Sequence, residues 1–264
     1  MVARVRTGTA MGERARYLYA ITRNPPEGFL DDARGLGGNR LEAVHHRGLA
    51  AIVSDVDLDE FGEEALKQNL EHLEWLETVA RTHDDVIHRV AAAGPTAPLR
   101  LATICIDDDG VRRRLDDWYL ALGQVLDRVE GRREWSVKVF APAGVPESVG
   151  VGVRVAGGGA DYLRQKKAAL DARAAAEEVA GRVGEEVYAT LSGRAVASRR
   201  LPAQDPRLTG HTGTMLLNCA FLVEVDEEPS FEADTDALRR DFPSVEISCA
   251  GPWPPYSFAM LEQR

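Results

Sequence analysis

Short runs of apolar and β-branched residues recur along the chain and predict eight β-strands. In the clearest of them, residues 215–225, apolar side chains occupy every second position without a break, which is the period of a β-strand. Arg47 and Gly48 separate the second and third runs, and this two-residue spacing predicts a β-hairpin. The predicted strands cover residues 17–22, 41–46, 49–56, 99–106, 135–140, 194–200, 215–225 and 245–250.

Four segments are predicted to be helical, and the first two have the apolar spacing of amphipathic helices. Leu66, Leu73 and Ile87 lie on one seven-residue repeat, which predicts a single continuous helix over residues 63–93. Three aspartates at residues 107–109 supply the N-cap and the first-turn charges of a second helix. The other predicted helices cover residues 107–129, 161–191 and 231–241.

The order of these elements predicts an α+β protein of two domains. Residues 17–131 form an N-terminal mixed α+β domain. Residues 132–250 have the order β-α-β-β-α-β, which is the modified ferredoxin-like (split βαβ) arrangement, here with an extended helical region. Residues 1–16 are basic and lack an apolar stretch, so a disordered leader is expected there. No internal sequence repeat is evident.

An aromatic and proline-rich tail, residues 251–264, follows the last predicted strand. Its prolines cannot continue a helix and cannot donate a hydrogen bond within a sheet. Large aromatic side chains left in water would be a liability, so the tail is expected to pack against a surface. The favoured interpretation is packing between the two domains, whereas docking on another protein and recognition as a PxxP ligand remain open. The residues concerned are Trp253, Pro254, Pro255, Tyr256 and Phe258.

Composition narrows the classes of partner. The chain has 42 acidic and 32 basic residues and a net charge of −10, without a basic stripe, so nucleic-acid binding is not expected. No apolar run approaches the roughly 18–20 residues that span a bilayer, so no membrane partner is expected either. The three cysteines lie far apart within apolar strand patterns, which predicts reduced, buried thiols in a cytosolic protein.

The histidines do not have the spacing of a metal site. His72, His83 and His88 all fall on the first long helix, but His72 and His83 are about 16 Å apart along its axis. His83 and His88 project about 140° apart around the same axis. His83 lies on the apolar face, which favours a buried histidine hydrogen-bonded to a neighbour over a catalytic base.

Other chemistry-bearing motifs are incomplete. The glycines at residues 157–159 open a predicted helix, followed by Arg164, Lys166 and Lys167, but no Gly-Lys-Ser/Thr completes a phosphate loop. A flexible hinge and a solvated basic face are the favoured interpretations. The aspartates at residues 55–59 lack the glycine that a calcium loop needs at its sixth position. The sequence therefore predicts no enzyme, no cofactor and no metal site.

Several segments, taken together, carry a family resemblance. The tail motif Gly-Pro-Trp-Pro-Pro-Tyr-Ser-Phe is the most specific, and the whole set resembles the gas vesicle GvpL/GvpF family over about residues 17–260. The family commonly has Phe-Gly where this chain has Leu101 and Ala102. The other segments are Tyr17-Leu-Tyr19, His83-Asp84-x-Val86-Ile87, residues 98–103, residues 134–139 and Tyr162-Leu163.

The resemblance implies a two-domain α+β protein with a non-catalytic accessory role in gas vesicle assembly. It implies the small hydrophobic shell protein and other gas vesicle accessory proteins as partners, and a location at the gas vesicle in the cytoplasm. The protein would act as an assembly factor or as a minor structural component. The alternative that the residues leave open is a small-ligand-binding regulatory module on the ferredoxin-like sheet.

Overall fold

The computed structural model describes residues 13–141, 181–205, 210–211 and 213–259, with the single positions 164, 167 and 179. The chain divides into two compact units. The first unit contains the residues up to Gly131 together with those from Pro254, and the second is Arg132–Trp253. Each unit is built on a four-stranded antiparallel sheet, which confirms the predicted α+β class.

The sheet of the first unit has a nearly fully buried central strand. Its four strands are β1 (Arg14–Arg23), β2 (Leu41–His46), β3 (Leu49–Asp57) and β4 (Thr96–Cys105). They pair in the order β2-β3-β1-β4. Tyr17 to Ile21 of β1 are buried, because β1 lies between two neighbours and its side chains line the core of the unit.

The predicted disordered leader is wrong at its C-terminal end, because β1 begins at Arg14. The Arg16 guanidinium lies 2.8 Å from a carboxylate oxygen of Asp55 and 2.8 Å from one of Asp108. These partners lie far away in the sequence, so the leader's composition could not reveal them. Residues 1–12 of the predicted leader lie outside the described residues.

The predicted hairpin between β2 and β3 is confirmed, with His46 paired to Leu49. Arg47 has a φ of 50° and Gly48 a φ of 80°. Positive φ at both central residues is the requirement of a type I′ turn, whose twist matches the twist of the flanking strands.

The helices of the first unit are shorter and more numerous than predicted. Residues 63–93 do not form one helix, and the helix predicted over residues 107–129 is divided at Trp118, whose φ is −99° and ψ is 1°. The helices are α1 (Leu58–Phe61), α2 (Glu63–Asn69), α3 (Leu73–Ala93), α4 (Asp108–Asp117) and α5 (Tyr119–Val129).

The break between α2 and α3 has a local cause. The Asn69 side-chain amide donates to the Glu60 backbone carbonyl over 3.0 Å, and the Trp75 indole donates to the Glu60 carboxylate over 2.6 Å. Both contacts fold the chain back on α1, and His72 adopts an extended conformation. The seven-residue repeat therefore does not describe one face. The buried side chains of α3 are Val79, His83, Val86, Ile87 and Val90.

The second unit has the predicted ferredoxin-like order. Its sheet pairs in the order β6-β7-β5-β8, and the long strand predicted over residues 215–225 is its buried β7. The described part of the helix predicted over residues 161–191 is residues 181–192, here called α6. The other elements are β5 (Arg132–Phe140), β6 (Ala197–Arg200), β7 (Met215–Glu224), α7 (Glu228–Asp241) and β8 (Glu246–Trp253).

Two sequence interpretations concern residues that are mostly not described. The glycine cluster at residues 157–159 and Lys166 lie outside the described residues, whereas positions 164 and 167 are helical. The interpretations of a hinge and of a solvated basic face therefore stay predictions.

The two sheets repeat one topology. In each unit the strand order, counted along the chain, is second-third-first-fourth, with antiparallel neighbours. The second unit connects its first two strands through a segment that contains α6, whereas the first unit uses residues 24–40, whose only helix is the single turn Leu36–Gly38. The topological repeat is invisible in the sequence because the two units share no evident motif.

Candidate functional site

The tail residues have different environments in the structure. Trp253 is the last residue of β8 and is 43% exposed, whereas Pro254, Pro255 and Phe258 are buried. From Pro254 onward the tail clusters with the first unit, whereas Trp253 belongs to the second unit. The predicted packing of the tail between two domains stays a prediction.

A compact turn shapes the tail after Trp253. The Tyr256 amide donates to the Pro254 carbonyl over 2.7 Å, and the Phe258 and Ala259 amides donate to the Pro255 carbonyl over 3.1 Å and 2.9 Å. Prolines can only accept through their backbone, so the Pro-Pro pair provides two carbonyls for this turn and leaves no buried amide of its own.

Tyr256 fixes the turn to α3. Its hydroxyl donates to a carboxylate oxygen of Asp84 over 2.6 Å, and its ring packs against the core of the first unit. The other Asp84 oxygen lies 3.4 Å from Nε2 of His88, one helical turn further along. A short hydrogen bond to a carboxylate is stronger than one between neutral groups, so this contact anchors the tail.

His83, the neighbour of Asp84, points into the core and is buried. Its Nε2 lies 3.1 Å from the Leu99 carbonyl, and its Nδ1 lies 3.0 Å from the Tyr17 hydroxyl. A carbonyl only accepts, so Nε2 carries the proton and Nδ1 accepts from Tyr17. The Tyr17 oxygen in turn accepts from the Ala102 amide over 3.0 Å. The prediction of a buried, hydrogen-bonded histidine is confirmed.

Burial lowers the pKa of His83 below its ordinary value. Removal from water disfavours the charged imidazolium, and the hydrogen bond to Leu99 compensates only in part. Burial likewise raises the pKa of the Tyr17 hydroxyl. Both groups are therefore neutral in the folded protein at neutral pH, and their polar atoms are used in holding α3 against the sheet.

The sequence does not indicate the role of Asp84 in anchoring the tail. Asp84 is part of the His83-Asp84 motif, but its partner Tyr256 lies 172 residues away. Both members of the contact belong to segments that carry the family resemblance. This shared resemblance is the only feature of the sequence that connects Asp84 with Tyr256, because their spacing along the chain does not predict a contact.

The three cysteines are free thiols, and Cys105 and Cys219 are buried while Cys249 is partly buried. Burial raises the pKa of Cys219 and of Cys249 to about 11 each. A thiol with such a pKa is protonated at neutral pH and is a poor nucleophile and metal ligand. Among the described residues, no three His, Cys, Asp or Glu side chains converge to hold a metal ion.

A groove of about 500 Å³ lies in the first unit beside α5. Arg23 in its wall contacts Asp127 at 2.8 Å. Arg47 contacts Asp116 at 3.1 Å and lies 4.0 Å over the ring of Tyr119. Because both arginines are neutralised by carboxylates, the groove does not favour an anionic ligand.

Edge strands provide the other candidate surface. β8 pairs with β5 along one side and forms one edge of the second sheet, with β6 at the other. An edge strand presents backbone donors and acceptors to an added strand. Pro252, near the end of β8, lacks an amide proton, so the pairing capacity of this edge lies in residues 246–250.

The chain matches the family model described as "Gas vesicle synthesis protein GvpL/GvpF" over residues 15–260. It is 38% identical to gas vesicle protein L of Streptomyces sp. (strain CB03234), covering 96% of this chain and 95% of that protein. It is 29% identical to gas vesicle protein F of the same strain, covering 92% of this chain and 98% of that protein.

The fold is similar to the crystal structure of the gas vesicle protein GvpF from Anabaena sp. PCC7120, with a TM-score of 0.68 and 18% identity. That match covers 95% of this chain and 98% of the other. The crystal structure of GvpF from Microcystis aeruginosa gives a TM-score of 0.64 at 19% identity, covering 94% and 99%. Among the described residues, no helix has both the length and the apolar character needed to cross a bilayer.

Proposed function

The chain belongs to the gas vesicle synthesis protein GvpL/GvpF family, and we propose that it acts in gas vesicle assembly by binding the hydrophobic shell protein and other gas vesicle proteins. The family is one of assembly and structural proteins and is not an enzyme family. The proposed role is therefore non-catalytic, as an assembly factor or a minor structural component at the gas vesicle in the cytoplasm. The identities of 38% to protein L and 29% to protein F favour the L-like branch.

One observation carries the proposed contact: Trp253 is 43% exposed at the end of the edge strand β8. The backbone of an edge strand can pair with a strand of a partner, and an adjacent tryptophan adds a large apolar contact. A hydrophobic shell protein would aggregate if its apolar surfaces and strand edges stayed exposed before assembly. Pairing at β8 would cover one such edge until the subunit is delivered.

The test is retention of the co-expressed gas vesicle shell protein by the tagged full-length protein. Deleting the tail would confound this test, because Tyr256 anchors the first unit through Asp84. Point substitution of Trp253 avoids that problem. We expect Trp253→Ala to weaken retention about tenfold or more, since truncated interface tryptophans commonly cost that much.

Two controls accompany the substitution. Trp253→Phe keeps an aromatic ring and should keep most of the retention, and Leu120→Ala removes an exposed leucine from α5 of the first unit and should change nothing. Full retention by Trp253→Ala would remove β8 as the contact. Failure of the intact protein to retain the shell protein would overturn the proposed binding.

The groove beside α5 supports a second candidate, the small-ligand-binding module. It lies in the first unit and not on the ferredoxin-like sheet where sequence reasoning expected a ligand. This candidate gains support only if the shell protein is not retained and if a metabolite raises the melting temperature of the protein.

A further inference from the structure

A helical arm, defined here as residues 57–77, projects apolar side chains that the first unit does not cover. It contains α1, α2 and the first turn of α3. α2 has no buried residue, and Phe61 is the only buried residue of α1. Leu66 and Trp75 pack partly against the core of the first unit, which fixes the inner side of the arm.

Two leucines occupy the outer side of the helical arm. Leu70 is 40% exposed and Leu73 is 80% exposed, and they lie on either side of the turn between α2 and α3. Leu76, one helical turn after Leu73, is only partly buried. Single exposed leucines are ordinary, but two exposed leucines and the partly buried Leu76 follow one another at three-residue spacing, which places a short apolar strip along the arm.

Carboxylates flank this strip along the sequence. The helical arm has eight acidic residues and one lysine, so it carries a net charge of −7, against −10 for the whole chain. Lys67 is already paired with Glu63 and Glu64, at 3.0 Å each. Among the described residues, no cationic side chain pairs with Glu71 or Glu74, which flank Leu73 on either side.

We propose that the helical arm is a docking site for an amphipathic helix of another protein, one whose apolar face is flanked by lysine and arginine. The apolar face of such a helix would cover Leu70 and Leu73, and its cations would neutralise Glu71 and Glu74. Helix-on-helix recognition of this kind needs both complementary apolar strips and complementary charge. The site is separate from β8 and holds whether or not β8 binds the shell protein.

The charge also decides against other occupants. A second copy of this chain would bring another surface of −7 against the first, and like charges oppose that pairing. Anionic lipid surfaces and nucleic acids are repelled for the same reason. The chain's own residues 1–12 contain only Arg4 and Arg6 as cationic side chains, too few to neutralise eight carboxylates.

The probe is a fluorescein-labelled synthetic helix of about five turns, with leucine on one face and lysine on both flanks. A matched peptide carries glutamate at every lysine position. Binding to the full-length protein is measured by fluorescence anisotropy at about 0.02 M and about 0.3 M salt. We expect the lysine peptide alone to bind, and its affinity to fall several-fold at the higher salt because the contact is partly electrostatic.

Variants locate the binding surface. Leu73→Ser and the double change Glu71→Lys with Glu74→Lys should each weaken binding about tenfold or more. Matched controls are Leu120→Ser, which removes a leucine of equal 80% exposure from α5, and Asp226→Lys, which reverses an exposed carboxylate before α7. Each should stay within about twofold of the unsubstituted protein. All the positions are exposed, so every variant should stay folded, with a small decrease in melting temperature only where Glu74 is lost from the first turn of α3.

Three outcomes would overturn the proposal. Equal binding of the lysine and glutamate peptides would remove the charge argument, and unchanged binding by the arm variants would place the contact elsewhere. The third experiment deletes residues 1–12. These residues precede Glu13, whose carbonyl accepts a hydrogen bond from the Leu58 amide at the base of the helical arm. A much tighter binding after this deletion would make the chain's own leader the occupant.

Discussion

His83 and Asp84 are adjacent on α3, yet their side chains hold different parts of the first unit. His83 joins the Tyr17 hydroxyl and the Leu99 carbonyl inside the core, whereas Asp84 accepts from Tyr256 of the tail. Successive residues on a helix point about 100° apart, so a neighbouring pair can serve two surfaces. The contacts of His83 require a neutral imidazole that carries its proton on Nε2.

We expect the free energy of unfolding to fall in acid because of His83. Its pKa is lowered in the folded protein by burial, so the unfolded chain takes up the proton first as the pH decreases. The contribution is complete above about pH 6.5 and is lost below it, by at most about 1.4 kcal/mol per pH unit. Denaturant titrations at several pH values measure it.

His83→Gln should remove this component of the pH dependence, whereas His72→Gln, at the exposed N-cap of α3, should retain it. An identical decrease below pH 6.5 in both variants would exclude His83 as the source.

Ala102 has a backbone conformation that suits glycine. Its φ is 60°, in the left-handed region where a Cβ atom is crowded, and its amide is held there by the Tyr17 hydroxyl. The same position differs from the family pattern, because the family that this chain resembles commonly has glycine where Ala102 lies. We expect Ala102→Gly to raise the free energy of unfolding by up to about 1 kcal/mol. Denaturant unfolding measures the change.

Ala97→Gly is the control on the same strand, at a buried position without positive φ, and it should lower the free energy of unfolding. A loss of stability in both variants would mean that the conformation of Ala102 carries no strain.

At the scale of elements, the tail and α3 act as one substructure. Removing the Tyr256 hydroxyl with Tyr256→Phe leaves the ring in place but takes a donor from Asp84. We expect the free energy of unfolding to fall by about 1.5–3 kcal/mol, the usual range for a hydrogen bond to a charged group. Equilibrium unfolding in denaturant gives the value.

Tyr119→Phe is the matched control, since the Tyr119 ring stacks under Arg47 and its hydroxyl makes no hydrogen bond with the described residues. Equal stability of Tyr256→Phe and the unsubstituted protein would show that the turn is held by packing alone.

Turns and strands were predicted from the sequence better than helix breaks. The hairpin is determined locally by Arg47 and Gly48, and β7 is recognisable from the strict alternation of its apolar side chains. The break between α2 and α3 depends on Asn69 and Trp75 reaching back to Glu60, which no apolar period contains. A seven-residue apolar repeat shows where apolar residues occur, but it does not show whether they lie on one continuous helix.

For the whole molecule, the α+β class and the ferredoxin-like order of the second unit were predictable from the succession of elements. The same strand order in the first unit was not, because there a largely irregular connection replaces the first helix. The candidate surfaces were predicted only in part. Trp253 could be identified as a candidate because the tail is rich in aromatic residues and prolines. The exposure of the helical arm could not be predicted, because it follows from the helix break at residues 70–72.

The division of the first unit between two stretches of chain has a consequence for biosynthesis. Its sheet and helices leave the ribosome early, but residues 254–259 are translated only after all of Arg132–Trp253. The hydrogen bond between Tyr256 and Asp84 therefore cannot form until the second unit has been synthesised, although N-terminal segments otherwise fold first. A nascent chain that stalls before Tyr256 displays an uncovered apolar surface. Chaperones and proteases act on such exposed apolar surface, so we expect chains that end before Tyr256 to be degraded faster than the full-length protein.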